Sequence, residues 1–403
     1  MAETPFDAAA GDRLARRNAV VLAIGQALAG ANNTVLVATG SIVGAVLAPD
    51  KSLATLPISV MVLGMWAGTL PVGYLARRLG RRTAYQIGAV CGVLAGLVGY
   101  LAVMRASFAI FLAASFLVGL YAASHMSYRF AAADTASAGF KPKAVSWVMA
   151  GGLFAAFLGP QLVIFTKDLM PPFLFAASYL GQAAIAAIAI PALAFVRVPP
   201  LVEHERKGPG RPLAEIVRQP RFVVAVVCGV ASYGLMNLMM TSAPLAMVDC
   251  GLSVSDATLG IQWHVLAMYA PSFITGSFIV RFGVERVIML GFVLLMGSAA
   301  VGLAGLSVAH FWIALILLGV GWNFSLVGAT TMVTDCHRPE ECNRVQAFND
   351  FLIFGIMAIG SFSSGTMLAA FGWSLVTGIM VPIAAGALAL VIWLKARHAP
   401  QPL

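Results

Sequence analysis

Residues 73–82 read Gly73-Tyr-Leu-Ala-Arg77-Arg78-Leu-Gly80-Arg81-Arg82, four arginines around two glycines with apolar runs on either side. The run before it, 54–76, and the run after it, 83–103, are each about the ~20 residues that an α-helix needs to cross the hydrocarbon core of a bilayer. Working outward gives expected spans at 18–47, 54–76, 83–103, 108–130, 144–166, 173–196, 221–248, 256–280, 287–306, 310–333, 343–370 and 373–394. The composition agrees. Of 403 residues, 60% are hydrophobic and 10% charged, whereas soluble domains carry about 25% charged residues. The apolar runs are continuous, not alternating, which selects helices over a barrel. The expected fold is all-α and integral to the membrane, with twelve transmembrane helices.

The decisive stretch has a second copy. Gly276-Ser-Phe-Ile-Val-Arg281-Phe-Gly283-Val-Glu285-Arg286 repeats a glycine, an arginine and a second glycine 203 positions later. Asp134 and Asp335 lie 201 positions apart, as do Gly159 and Gly360, each followed by a different residue, Pro160 or Ser361. The polar segment Val198–Pro220 falls midway. These features predict two pseudo-symmetric six-helix bundles, with an N-terminal tail at 1–17, a first bundle at 18–197, a linker at 198–220, a second bundle at 221–394 and a tail at 395–403.

The chain has 25 Lys and Arg against 16 Asp and Glu, a formal charge of +9. In a membrane protein that excess reports orientation. If the N-terminus is cytoplasmic, Arg77, Arg78, Arg81, Arg82, Lys141, Lys143, Arg206, Lys207, Arg281, Arg286, Lys395 and Arg397 all fall inside, and only Lys51, Arg105 and Lys167 fall outside. Both termini are therefore expected in the cytoplasm, and no nucleic-acid partner is needed. Met1–Asn18 lacks the pattern of a cleavable signal. Five scattered cysteines imply no disulfide framework, and Cys336, His337 and Cys342 fall short of a closed metal site. No metal or cofactor is expected.

On these residues the chain resembles the major facilitator superfamily over essentially its whole length. Gly73, Arg78, Gly80, Arg81 and Arg82 are similar to that family's loop signature between the second and third helices, but Arg77 stands where the signature has an acid. The acid helps latch helices together in family members, so the resemblance leaves Asp134 to supply a carboxylate here. The alternative is that the arginines only anchor topology. By this resemblance Gly73, Arg77, Arg78, Gly80, Arg81, Arg82, Asp134, Gly276, Arg281 and Gly283 are the gating residues. Gly159-Pro160 resembles part of the signature of drug and proton antiporters, although Ser146 and Ala155 replace two of its glycines and Ser115 stands where a fourth-helix arginine would be. Tyr128–Asp134 and Gln346–Phe351 are similar to a bacterial permease branch of vitamin-type uptake, riboflavin among the candidates.

The resemblance puts the solute cavity between the halves, and polar side chains inside a membrane mark such paths. The third, ninth and twelfth spans are almost wholly apolar, as peripheral helices would be. Gln26, Gly30 and Asn33 share one face of the first span, with Asn32 beside them. The fourth carries Tyr121, His125 and Arg129 at steps of four, and the seventh Tyr233, Asn237 and Thr241. Trp263 and His264 lie in the eighth, Trp322 and Asn323 in the tenth, Asn349 and Asp350 in the eleventh. The candidate substrate-binding residues are Asn32, Asn33, Tyr121, His125, Asn237, Trp263, His264, Trp322 and Asn323. For each asparagine, a bond to a neighbouring helix competes with a bond to the solute. Arg129 is read as an ion-pair partner ahead of a substrate contact.

Such a set, rich in amides and aromatic rings and without a central charge, suits a neutral or zwitterionic solute with a planar, hydrogen-bonding part. The expected function is secondary transport of such a solute across the inner membrane by alternating access, by a monomer in the lipid bilayer. No phosphate-binding loop of the Gly-x4-Gly-Lys-Ser/Thr type is present, so ATP is not the expected energy source. His125, His264 and Asp350 are the candidates for proton coupling. A proton-coupled exporter of drugs or metabolites is one alternative, and a receptor or scaffold without transport is another. An enzyme is not expected, because no nucleophile, base or metal set is clustered.

Overall fold

Apolar runs this long have one stable arrangement in lipid, in which each backbone polar group bonds within its own helix. The structure, a computed structural model, follows that rule: it describes residues 8–50, 53, 56–197 and 210–398, and these contain helices and no strand. Part of the tail at 1–17, Lys51, Arg206, Lys207 and the last five residues lie outside the described residues, and Ser361 lies among residues whose side chains are not described.

The helices are α1 (Ala8–Leu47), α2 (Leu56–Leu79), α3 (Arg81–Met104), α4 (Phe108–Met126), α5 (Tyr128–Ala133), α6 (Lys141–Thr166) and α7 (Ala176–Leu193). After the linker come α8 (Pro220–Asp249), α9 (Val254–Tyr269), α10 (Ser272–Phe282), α11 (Val284–Ala304), α12 (Val308–Thr334), α13 (Cys342–Gly378) and α14 (Met380–His398). Among the described residues ten helical stretches are long and apolar enough to cross a membrane, and α9 with α10, bent by 42°, makes an eleventh when the pair is counted as one span. Helix α13 occupies the place of the remaining expected span. Three interruptions have local causes. Ser127 separates α4 from α5, Pro271 cannot donate a backbone hydrogen bond between α9 and α10, and Gly372 adopts φ 72° inside α13.

Contacts divide the chain into two units, Met1–Gly210 with Arg338–Phe351, and Arg211–His337 with Leu352–Leu403. The core of the first unit is mostly alanine, including Ala15, Ala19, Ala84, Ala89, Ala131, Ala132 and Ala186, gathered round Tyr85, Tyr121 and Tyr128. Small side chains let helix axes approach, which is the main source of helix association in lipid. At the α2–α4 crossing a Cβ on Gly119 would run into the backbone of Met61 and Met65, so only glycine fits. Helix α3 turns Ile87, Val90, Leu94, Leu97 and Leu101 outward at helical spacing. Large apolar residues exposed in such a row suit acyl chains, not water.

Both copies of the repeated loop break the chain in the same way. Gly80, between α2 and α3, has φ 82° and ψ 158°, and Gly283, between α10 and α11, has φ 89° and ψ 149°. That region of backbone space is essentially restricted to glycine, which explains why the second glycine recurs at the same offset.

Candidate functional site

In the first unit the arginine-rich loop divides into exposed and buried groups. Arg77 and Arg78 close α2, where the carboxyl end of a helix favours positive charge, and Arg78 stacks on Tyr74 with 5.3 Å to the ring centre. Both are exposed, as is Arg82. Arg81 is the exception. It opens α3, where the helix dipole disfavours a cation, yet it is 6% exposed.

Its partners account for that position. Arg81 Nε donates to Asp134 Oδ2 at 2.7 Å, Nη1 to the Tyr85 hydroxyl at 3.1 Å, and Nη2 to Gln346 Oε1 at 2.5 Å. Tyr85 in turn donates to the Ser127 carbonyl at 3.2 Å, and Gln346 Nε2 reaches Asp134 Oδ1 at 3.4 Å. The carboxylate that Asp134 was expected to offer the loop is thus taken by one arginine of the four. Near it, Arg129 Nη2 meets Asp350 Oδ1 at 2.5 Å, with side chains 1% and 5% exposed. Arg129 also donates to the Met126 carbonyl, and Asn349 Nδ2 donates to Asp350 Oδ1 at 3.0 Å. Gly73 lies where α2 meets the first turns of α13, its Cα facing Ala347. A small cavity is bordered by Gly73, Arg81, Ser127, Asn343, Gln346 and Asp350, among others.

Deeper in the same unit the two adjacent asparagines part company. Asn32 and Gln182 form a reciprocal amide pair: Asn32 Nδ2 donates to the Gln182 carbonyl at 3.0 Å, and Gln182 Nε2 donates to the Asn32 carbonyl at 3.0 Å. Asn33 is partly exposed, and its Oδ1 has no protein partner. His125 is 2% exposed, with Nδ1 3.3 Å from Gln26 Oε1 and Nε2 unpartnered. The Tyr121 ring packs in the alanine-rich core, and its hydroxyl has no partner.

The second unit has its own charged cluster. Arg221 bridges Glu285 at 2.9 Å and Asp335 at 3.0 Å. Asp335 thus takes a different arginine from its counterpart Asp134. Arg281 is exposed and stacks on Phe282 with 5.3 Å to the ring centre, while Gly276 is buried. Farther in, Trp322 lies edge-on to Tyr233 and Tyr269, with ring centres at 5.3 and 5.9 Å, and Tyr233 also meets Phe354 at 5.4 Å. Trp322 Nε1 and Asn237 Nδ2 are buried without protein partners. His264 Nδ1 lies 2.9 Å from the Leu315 carbonyl. Trp263 is exposed. Asn323 is fully engaged: its Nδ2 donates to the Met268 carbonyl at 2.7 Å and to Ser272 Oγ at 2.6 Å, and Thr275 donates to its Oδ1 at 2.6 Å.

The structure therefore brings Arg81 and Asp134 together, and places Asn32 and Asn323 in bonds between helices. Asn33, Tyr121, His125, Asn237 and Trp322 each retain a polar atom without a partner. Sequence reading did not pair Arg129 with Asp350 or Asn32 with Gln182, and no spacing in the sequence points to either pair. For Arg221 the sequence does hold a signal, since the Asp134–Asp335 repeat points to an arginine at Asp335.

Comparison with known proteins fits this architecture. The chain is 48% identical to the riboflavin transporter RfnT of Brucella anthropi over 392 residues, covering 96% of this chain and 98% of the relative. It is 29% identical to the MFS-type transporter YdeG of Bacillus subtilis, covering 95% of this chain and 93% of the relative. Among solved structures, the proton:xylose symporter XylE superposes with a TM-score of 0.78 at 16% identity, covering 95% of this chain and 96% of the other, and the human organic anion transporter MFSD10 with 0.76 at 15%, covering 94% and 99%. The sequence pattern of the Major Facilitator Superfamily matches residues 22–269 and 225–403. With a family match over nearly the whole chain, a relative close to half identical end to end, and the same fold in solved transporters, this chain belongs to the Major Facilitator Superfamily of secondary transporters.

Proposed function

We propose that the chain carries riboflavin, or a neutral solute with a similarly planar hydrogen-bonding ring, across the cell membrane by alternating access of two six-helix bundles, as a monomer with both termini in the cytoplasm. The observation that carries this reading is the 48% identity to a riboflavin transporter over 96% of the chain and 98% of the relative. The chemistry of each unit supports it. The buried charges Arg81, Asp134, Arg129 and Asp350 are matched within the first unit, so a charged solute would find no free counter-ion among them. What remains for recognition is polar but neutral: Asn33 and His125 in the first unit, Asn237 and the Trp322–Tyr233–Tyr269 cluster in the second. An unmade hydrogen bond to a buried polar atom costs about 1–3 kcal/mol, which a solute offering matching groups recovers.

Uptake of riboflavin by proteoliposomes holding the purified chain tests the proposal. Saturable uptake above protein-free liposomes, competed by lumichrome and not by xylose, is the expected result. Saturable binding without movement across the membrane would make the chain a receptor, and neither binding nor uptake would remove riboflavin as its solute.

A further inference from the structure

Where α1 and α6 begin, the first unit gathers more positive than negative charge. Among the described residues of 8–18 and 135–147 the cations are Arg13, Arg16, Arg17, Lys141 and Lys143, and the acid is Asp12. Asp12 is taken up by Ser137, whose backbone N–H donates to Oδ1 at 2.8 Å and whose hydroxyl donates to Oδ2 at 2.9 Å. Arg16 is exposed and lies over Phe140 with 5.3 Å to the ring centre, and Phe140 meets Trp147 edge-on at 5.5 Å. Beside it, Arg17 Nη1 is enclosed without a protein partner. Lys141 and Lys143 are half-buried in the first turn of α6, which has no acidic residue and no side-chain cap. That end of a helix itself favours an anion.

Next to this cluster the same two helices open an apolar groove. They run parallel and touch through small residues, Gly151 against the Ala23 backbone, Gly30 against Ala155 and Gly159 against Thr34. On α1, Val20 and Ile24 follow Arg16 at steps of four and are exposed, and on α6 the exposed Trp147 and Phe154 follow Lys143 at steps of four and seven. At 100° per residue the exposed row of α1 stands about 80° to one side of its contact row, and that of α6 about 90° to the other side. In parallel helices facing each other, both rows then open on the same side. We propose that this groove binds one anionic phospholipid of the adjacent leaflet, with Arg16, Arg17 and Lys143 holding the headgroup phosphate and an acyl chain lying along Val20, Ile24, Trp147 and Phe154.

The chemistry selects this occupant over others. Guanidinium groups match phosphate oxygens in pairs, and basic pockets between helix ends hold anionic headgroups. A choline lipid brings its own cation and leaves the surplus positive charge in place. Trp147 has the amphipathic ring that settles at headgroup level. A helix from a second protein would need small residues to approach, and those of α1 and α6 are used where the two helices meet, leaving large side chains that suit an acyl chain. The bound lipid spans both helices, so it stabilises the folded first unit by mass action.

The site is independent of the solute carried, and lipid binding tests it without transport. The purified full chain in detergent is titrated with dioleoylphosphatidylglycerol or dioleoylphosphatidylcholine, bound lipids are counted by native mass spectrometry, and the melting midpoint is followed alongside. The phosphatidylglycerol is expected to stay bound, and to raise the midpoint, at concentrations where the phosphatidylcholine does neither. Arg16→Gln with Lys143→Gln should weaken that binding at least about tenfold, while Arg16→Lys with Lys143→Arg restores most of it. Lys395→Gln with Arg397→Gln, an equal loss of charge on α14, should leave it unchanged. Phosphatidylglycerol brominated on its acyl chains should quench a part of the tryptophan fluorescence that is missing in Trp147→Phe. If the glutamine pair no longer melts cooperatively, the Lys143→Arg pair and the quenching decide. Equal binding of the two lipids, full binding by a folded glutamine pair, an equal loss in the α14 pair, or quenching that Trp147→Phe does not reduce would each overturn the proposal. A midpoint raised as much by glycerol phosphate would also overturn it, making the cluster a site for free phosphate.

Discussion

Arg81 and Asp134, 53 positions apart in the chain, meet at 2.7 Å behind a loop whose acidic position is filled by Arg77. The pair is mostly enclosed, with side chains 5% and 14% exposed, so removing the carboxylate leaves a guanidinium charge in a poorly solvated place. Asp134→Asn is expected to lower stability by about 3 kcal/mol, read as a drop in the melting midpoint of the purified protein in detergent. Arg77→Asp, which restores the family's acid on an exposed side chain, should leave that midpoint unchanged, because exposed ion pairs contribute little. A midpoint for Asp134→Asn equal to that of the unsubstituted chain would contradict this role for Asp134.

The adjacent asparagines of α1 make a paired experiment. Asn32 is tied to Gln182, so Asn32→Ala should cost about 1–2 kcal/mol in stability and leave the KM for riboflavin unaltered. Asn33, partly exposed with a free carbonyl oxygen, should behave in the opposite way: Asn33→Ala raises KM about fivefold to tenfold, the value of one hydrogen bond, with the melting midpoint intact. Asn323→Ala belongs with Asn32, since all its bonds go to Met268, Ser272 and Thr275.

Two glycines hold the repeated turn. Gly80→Ala and Gly283→Ala force an L residue into φ near 82° and 89° with ψ near 158° and 149°, at a cost of about 1–3 kcal/mol each. The two melting shifts should be similar. A clear shift for one and none for the other would break the equivalence of the two loops.

The thiols outside the membrane spans differ sharply in expected reactivity. Burial pushes Cys336 and Cys342 up to about 12, and the thiolate is the reactive form. Below that value the group stays protonated, so at neutral pH on the order of one thiol in a hundred thousand is ionised, and labelling rises only as pH climbs toward 12. Cys250 is exposed. Maleimide at neutral pH should therefore label Cys250 and spare Cys336 and Cys342 in the folded protein, and mass spectrometry of the labelled chain checks it. Fast labelling of Cys336 or Cys342 would contradict their enclosure.

How much of this could be read in advance follows from which signals are local. Twelve apolar runs and the glycine-arginine-glycine repeat are local patterns, so the helices fall close to their expected limits: 83–103 became Arg81–Met104, and 221–248 became Pro220–Asp249. The first helix starts earlier, at Ala8, because a helix does not have to stop at the membrane surface where its apolar run does. Polar spacing identified residues that matter but not their partners. Asn32 and Asn33 look alike in a sequence, and only the neighbouring α7, bearing Gln182, separates them. Likewise Arg129 and Asp350, 221 positions apart, have no shared pattern that would reveal their contact.

The central claim, that this chain transports a flavin-like solute, is tested most directly by counterflow: liposomes containing the purified protein and unlabelled riboflavin are diluted into a trace of labelled riboflavin at uniform pH. The account predicts a transient accumulation of label above equilibrium, abolished by excess external lumichrome and absent from protein-free liposomes. Accumulation indistinguishable from the protein-free control, from protein that still melts cooperatively, would contradict it.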